Sequence, residues 1–348
     1  MKFPQSGYIL QSMAVIFLHS LLHLTVVKLA MGICHDYEVK KLFKRLSCYL
    51  PYPLVPEWEM LIERKASEFG LPHILHNKVI QTVHAMLFDI RKWLPFQFGS
   101  MTYEENFVDS LHWKTDGTID ITKTGKSLLQ IGDLTDIVRF QIACSFCLED
   151  DIRILWQKLP EWEKECLSTS HTFSVRSHYW IPKLKGDEVK VNSEFIFCCG
   201  NPFPNMVQLK FLLNEMEIDE RLEALNNVIL LTKMDETDMW LCLLQMIIQE
   251  QEYFFKKYPY QVLLCLTEWP YLHFFLDAAE HIWPYLSKSA FTEVLRWIKL
   301  RCQDMQHFDY NELFEEFWNR SPADFKEYVN SSEELTAYIN VATEDDIW

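Results

Sequence analysis

The sequence predicts an all-α protein, a stack of helix pairs in the manner of an α-solenoid or an ankyrin-like helical array, with one short β-hairpin near residues 111–122. Three observations carry that expectation. Amphipathic stripes follow one another from Asn205 to Val329 without a single glycine. Residues suited to helix starts recur at the heads of those stripes. All nine glycines of the chain lie at or before Gly200. Helix pairs of about 30 to 45 residues, neither member able to bury its apolar face alone, are what stacked helical repeats require.

The N-terminal 1–34 segment contains the most hydrophobic stretch, Tyr8 to Ile33. Gln11, Ser12, His19, Ser20, His23 and Lys28 interrupt it, whereas a membrane span wants about 20 predominantly apolar residues. A core helix is the expected reading. Its rivals use residues 8–33 as a secretory signal ending near Ala30-Met31-Gly32 or as a membrane anchor, with Lys40, Lys41, Lys44 and Arg45 then on the cytoplasmic side.

Residues 35–167 read as an N-terminal helical domain. Helices are expected at Val39–Leu50, at Glu57–Phe69 and at Asn77–Leu94, the last stopping before Pro95. Around Asp116-Gly117 the periodicity shortens to that of a hairpin, and helices resume from Ser127. The pair over Asp133–Leu159 distantly resembles an ankyrin-like unit without the Thr-Pro-Leu-His signature. Residues 168–204, with Pro182, Gly186, Gly200, Pro202 and Pro204, read as an irregular loop or linker.

Residues 205–341 read as an acidic C-terminal helical array, with 342–348 as a tail. Asp235, Pro259, Pro270, Ser287, Asp309, Ser321 and Ser331 mark successive helix starts. Trp156, Trp240, Trp269, Trp283, Trp297 and Trp318 fall within apolar stripes or beside helix-ending prolines and are expected to be largely buried.

Charge divides the chain as sharply as glycine does. Residues 205–348 carry 11 Lys and Arg against 26 Asp and Glu, a net −15, while residues 1–204 carry 22 against 23. That field repels phosphate backbones and attracts basic proteins, so no nucleic-acid partner is expected. Ten cysteines lie mostly among apolar neighbours, as reduced core thiols do, which points to the cytoplasm. The secreted or anchored alternative rests on the N-terminal apolar segment alone.

Few motifs carry chemistry. Gly125-Lys126-Ser127 ends like a phosphate-binding loop, but Asp120 stands where its first glycine belongs. A loop and helix cap is therefore expected there. Cys144 and Cys147 have a CxxC spacing with His171 and His178 downstream, yet His171 and His178 are too far apart for a zinc finger, and burial is expected. His273, Asp277 and His281, at i, i+4 and i+8, place two imidazoles and a carboxylate along one helical stripe and are the metal candidates. No Gly-x-Ser-x-Gly and no His-Glu-x-x-His is present, and no catalytic residue or cofactor is assigned.

Trp113–Asp120 (WKTDGTID), Cys147–Trp156 (CLEDDIRILW), Glu268–Leu286 (EWPYLHFFLDAAEHIWPYL) and Phe308–Trp318 (FDYNELFEEFW) resemble strings of a large family of uncharacterised arachnid helical proteins. The resemblance covers roughly Cys34 to Val329. It implies no activity, since the family has none assigned. The long apolar segment before Lys28 departs from that pattern and bears on location.

Function is then an expectation from surface. The sequence favours a non-enzymatic scaffold for protein–protein interaction, holding a basic protein partner on an acidic C-terminal surface at Glu250, Glu252, Glu315 and Glu316. The alternative is an enzyme, a metal-dependent hydrolase with its site around His273, Asp277 and His281.

Overall fold

A computed structural model describes residues 20–46, 56–98, 108–169, 175–198, 206–231, 246–304 and 310–332. The protein is all-α in those residues. It divides into two compact units, with a boundary between Lys233 and Met234.

In the first unit, α1 (Leu21–His35) packs along α4 (His73–Phe98). Val26, Val27, Ala30, Ile33 and Cys34 form one helical stripe of α1 and are buried, as a core helix requires. No described helix is long and apolar enough to cross a membrane. Between them come α2 (Tyr37–Leu46) and α3 (Pro56–Ser67), both in contact with α1. Asp36 caps α2: its carboxylate accepts from the N–H of Glu38 at 2.8 Å, and Lys65 of α3 pairs with Asp36 at 2.9 Å and with Glu38 at 2.8 Å. The backbone of α4 runs past the stop expected before Pro95, since proline removes one donor but keeps a helical φ.

The expected hairpin is present at its minimum length. A single antiparallel bridge joins Trp113 to Ile119, Gly117 takes a left-handed φ of +87°, and Asp116 accepts from the Thr118 N–H at 2.9 Å. Asp120 then caps α5 (Ile121–Leu129), accepting from the Lys123 N–H at 3.1 Å. The helix therefore resumes before Ser127. Helices α6 (Asp136–Ser145) and α7 (Glu149–Lys158) pack together, followed by α8 (Glu161–Thr169).

The described part of the stretch expected as irregular is largely helical, with residues 186–192 irregular as expected. It holds a π-helical turn at Arg176–Trp180, α9 (Ile181–Lys185) and α10 (Ser193–Cys198). Two aromatic anchors explain why it docks. Tyr179 and Trp180 are buried, with ring centroids 5.2 and 4.9 Å from that of Phe211. Phe211 belongs to α11 (Met206–Asn214), and α12 (Ile218–Leu231) packs on α10. These two helices, expected in the acidic C-terminal array, thus lie in the first unit.

The second unit contains α13 (Ile248–Lys257), α14 (Pro259–Leu266), a 3-10 turn at Leu272–Phe274, α15 (Phe275–Ile282), α16 (Lys288–Asp304), α17 (Tyr310–Arg320) and α18 (Ala323–Asn330). Pro259 opens its helix as expected, and Ser287 caps α16 through the Ala290 N–H at 3.1 Å. Phe291, Val294, Leu295 and Ile298 are the buried face of α16. Pro270 does not start a helix; tight turns from Glu268 to Tyr271 and from Tyr271 to Phe274 precede α15. Ser321 turns its hydroxyl back to the Trp318 carbonyl, leaving Pro322 as the residue before α18. Ser331 ends α18. Asp235, Asp309 and Glu334 lie outside the described residues.

Aromatic rings fill the space where α15, α16, α17 and α18 meet. Phe275 and Phe291 lie 5.0 and 5.2 Å from Phe317, and Phe325 lies 5.1 Å from Phe291. Thr267, at the end of α14, ties three elements. Its hydroxyl accepts from Trp297 Nε1 at 3.1 Å and its carbonyl from the Tyr310 hydroxyl at 2.8 Å. Beside it, Arg301 pairs with the buried Glu268 and lies over the Trp297 ring. The described tryptophans expected to be largely buried lie at cluster edges. Trp156, Trp269, Trp283, Trp297 and Trp318 are half-buried and Trp240 lies outside the described residues, whereas Trp58 and Trp180 are fully buried. An indole is large enough to cap a cluster edge while its rim stays in water.

Candidate functional site

Three motifs were candidates for chemistry, and local structure accounts for each. Gly125 sits inside α5, where backbone N–H groups are committed to the helix and cannot cradle a phosphate. Its missing side chain makes room for Phe146: a Cβ there would stand 2.8 Å from that ring. Asp120 is the helix cap, and Ser127 hydrogen-bonds to His112 Nε2 at 2.7 Å. No carboxylate meets the other nitrogen of His112 among the described residues, so the pair lacks the orienting acid of a hydrolytic triad.

Cys144 and Cys147 do not converge on a ligand. Cys144 is buried in α6, while Cys147 lies just beyond its end with a left-handed φ of +50°. The Cys147 N–H bonds to the Cys144 carbonyl at 3.3 Å and the Leu148 N–H to the Ala143 carbonyl at 3.0 Å, the paired bonds of a Schellman helix end. Burial pushes both thiols well above the ordinary range, with the Arg176 guanidinium opposing it at Cys144. Such thiols are poor metal ligands and poor nucleophiles. His171 lies outside the described residues.

His273, Asp277 and His281 are spread over the 3-10 turn and α15, with His273 and Asp277 exposed and His281 half-buried. His281 turns Nδ1 to the Asp277 backbone carbonyl at 2.7 Å instead of joining the carboxylate. Among the described residues, no group of three or more His, Cys, Asp or Glu is placed to hold a metal ion. A shared helical face brings residues near one another but does not make their donor atoms converge.

The acidic candidates separate on inspection. Glu250 is buried, and its Oε2 accepts from the Ile247 N–H at 2.9 Å at the start of α13. It is a helix cap and cannot meet a partner. Glu252 is half-buried and Glu315 exposed. Glu316 bonds to Arg320 one turn on at 2.9 Å, and Arg320 reaches Glu280 of α15 at 3.2 Å. One arginine therefore clamps a carboxylate from each of two adjoining helices. The hydrogen bonds it donates to both glutamates raise its pKa, against a smaller opposing effect of desolvation. Around that clamp Asp277, Glu312 and Glu315 are exposed and have no cation of their own among the described residues.

A second surface, which no motif marks, lies in the first unit. An open groove of about 1160 Å³ runs between α2 and α3. Its signal in the sequence is the density of Lys and Arg on α2, the same cations that would flank a membrane segment. Comparison with known proteins finds no matching family, no matching curated protein and no matching solved structure.

Proposed function

We propose that this chain is a non-enzymatic helical scaffold for protein–protein interaction, whose C-terminal unit holds a basic protein partner on an acidic face. The observation that carries the reading is the Glu280–Arg320–Glu316 clamp, which gathers α15 and α17 while Asp277, Glu312 and Glu315 around it stay exposed without cations. Such carboxylates are hydrated in the free protein and available to lysines and arginines of a partner. Residues 234–348 carry 21 Asp and Glu against 8 Lys and Arg, a net −13 that adds long-range attraction. Stacked helix pairs suit the presentation of such a face, and a repeat architecture is part of the proposal. So is a cytoplasmic location, supported by the free thiols of Cys34, Cys144, Cys147, Cys166, Cys265 and Cys302.

The test is a pull-down at low and high salt from cell extract, with wild type and the Asp277→Asn, Glu312→Gln, Glu315→Gln triple variant. Partners of basic composition should be recovered by wild type at low salt, and lost both in the variant and at high salt. Equal recovery under all conditions would overturn the assignment of this face. Glu250→Gln is not a suitable probe, because it removes a helix cap.

A further inference from the structure

We propose that the groove between α2 and α3 is a docking site for an acidic peptide segment of a protein partner, one that carries an apolar anchor. Its geometry favours a chain segment over a small molecule. The groove is open and exceeds the roughly 300–1,000 Å³ of ordinary small-ligand pockets, and a ten-residue helix such as α2 offers a wall about 15 Å long.

Charge supplies the specificity. Five cations line the groove, Lys40, Lys41, Lys44, Arg45 and Arg64, against three carboxylates, Glu38, Glu57 and Asp109. Each carboxylate is already engaged: Glu38 with Arg64 at 3.0 Å, Glu57 with Arg45 at 2.6 Å and Asp109 with Lys44. Lys40 and Lys41 have no carboxylate among the described residues, and the groove keeps an excess of two positive charges in a chain of net −16. A local reversal of sign against so acidic a background attracts acidic partners selectively.

Apolar surface supplies the anchor. Tyr37 is 75% exposed and Met60 66% exposed, and both line the same groove. Lys41 lies 6.0 Å from the Tyr37 ring centroid, so a carboxylate meeting Lys41 would bring its neighbouring side chain onto that ring. An exposed methionine lining the same groove as an exposed aromatic ring makes an adaptable apolar seat. The occupant this combination fits is an amphipathic segment with carboxylates flanking a leucine or phenylalanine. Nucleic acid fits less well, because a phosphate backbone carries no aliphatic side chain to seat on Tyr37 and Met60.

The experiment is a fluorescence-anisotropy titration of the full chain with a labelled amphipathic peptide of about 12 residues, leucine on one face and glutamate on the other. The same peptide with lysine for glutamate, a single-stranded oligonucleotide and anionic vesicles are the comparison probes. The glutamate peptide should bind, and Lys40→Glu/Lys41→Glu and Met60→Glu should each weaken it about ten-fold. Raising salt from about 0.05 M to about 0.5 M should weaken it as well. Glu327→Gln, exposed on α18 in the other unit, should leave it unchanged. Tighter binding of the lysine peptide, the oligonucleotide or the vesicles, or indifference to the groove variants, overturns the proposal. So does failure to bind. Self-association abolished by Lys40→Glu/Lys41→Glu would assign the groove to a second copy of the chain and overturn it equally. Circular dichroism of each variant checks folding, and Lys41→Gln, with a smaller loss in the same direction, replaces any variant that unfolds.

Discussion

Replacing Gly125 by alanine sets two effects of known size against each other. In a helix interior alanine outranks glycine by about 0.8–1.0 kcal/mol, so on propensity alone Gly125→Ala stabilises. The tertiary environment opposes it. The new Cβ would stand 2.8 Å from Cδ1 and Cγ of Phe146 and 2.9 Å from its Cβ, inside the roughly 3.5–4.0 Å of an optimal carbon contact. Phe146 cannot swing aside, because its Cβ is one of the clashing atoms, the residue is buried, and its N–H is bonded to the Ile142 carbonyl at 3.0 Å. Overpacking of this kind costs about 1–3 kcal/mol. The balance is a net loss of about 1 kcal/mol, a fall of about 2–4 °C in the unfolding midpoint of a unit this size. Urea unfolding followed by circular dichroism should register it. Gly132→Ala is the control, since a Cβ there meets nothing within 4 Å. In a Phe146→Leu background the penalty of Gly125→Ala should shrink or reverse, with a coupling of about 1 kcal/mol. A Gly125→Ala protein more stable than wild type by the full propensity gain would refute the steric account.

Two further outcomes are expected. Cys147→Gly should stabilise the first unit by about 1 kcal/mol, because Cys147 occupies the left-handed position at a Schellman helix end where glycine carries no Cβ penalty; an unchanged urea midpoint would contradict this. For Asp36, partial desolvation raises the pKa, but the Lys65 hydrogen bond and the Glu38 and Val39 N–H groups outweigh it and hold the carboxyl below its ordinary value. A carboxylate depressed in the folded state contributes stability that is complete above its unfolded pKa of about 3.9 and is lost as pH falls through the folded pKa. Asp36→Ala should therefore cost about 1 kcal/mol at neutral pH, with the deficit closing in acid; an equal deficit at pH 7 and about pH 2.5 would exclude the ionised cap.

Periodicity alone determined the all-α class, the buried face of α16 and the core role of α1, because burying an apolar stripe is a local demand written at 3.6-residue spacing. Local chemistry likewise determined the Asp-Gly hairpin, the Pro259 helix start and the Ser287 cap, each set by residues within a few positions of one another. Only the tertiary structure decided what depends on distant partners. Phe146 explains Gly125, and Phe211 receives Tyr179 and Trp180, drawing the expected linker and the two helices after it into the first unit. The same holds for the sites. Charge composition cannot distinguish Glu250, spent on a backbone N–H, from exposed Glu315, nor show that Arg320 gathers Glu280 and Glu316. The groove needed α2 and α3 brought side by side before Lys40, Lys41, Tyr37 and Met60 could share one surface. A sequence records each side chain's chemistry, but its availability depends on which neighbours packing brings within reach.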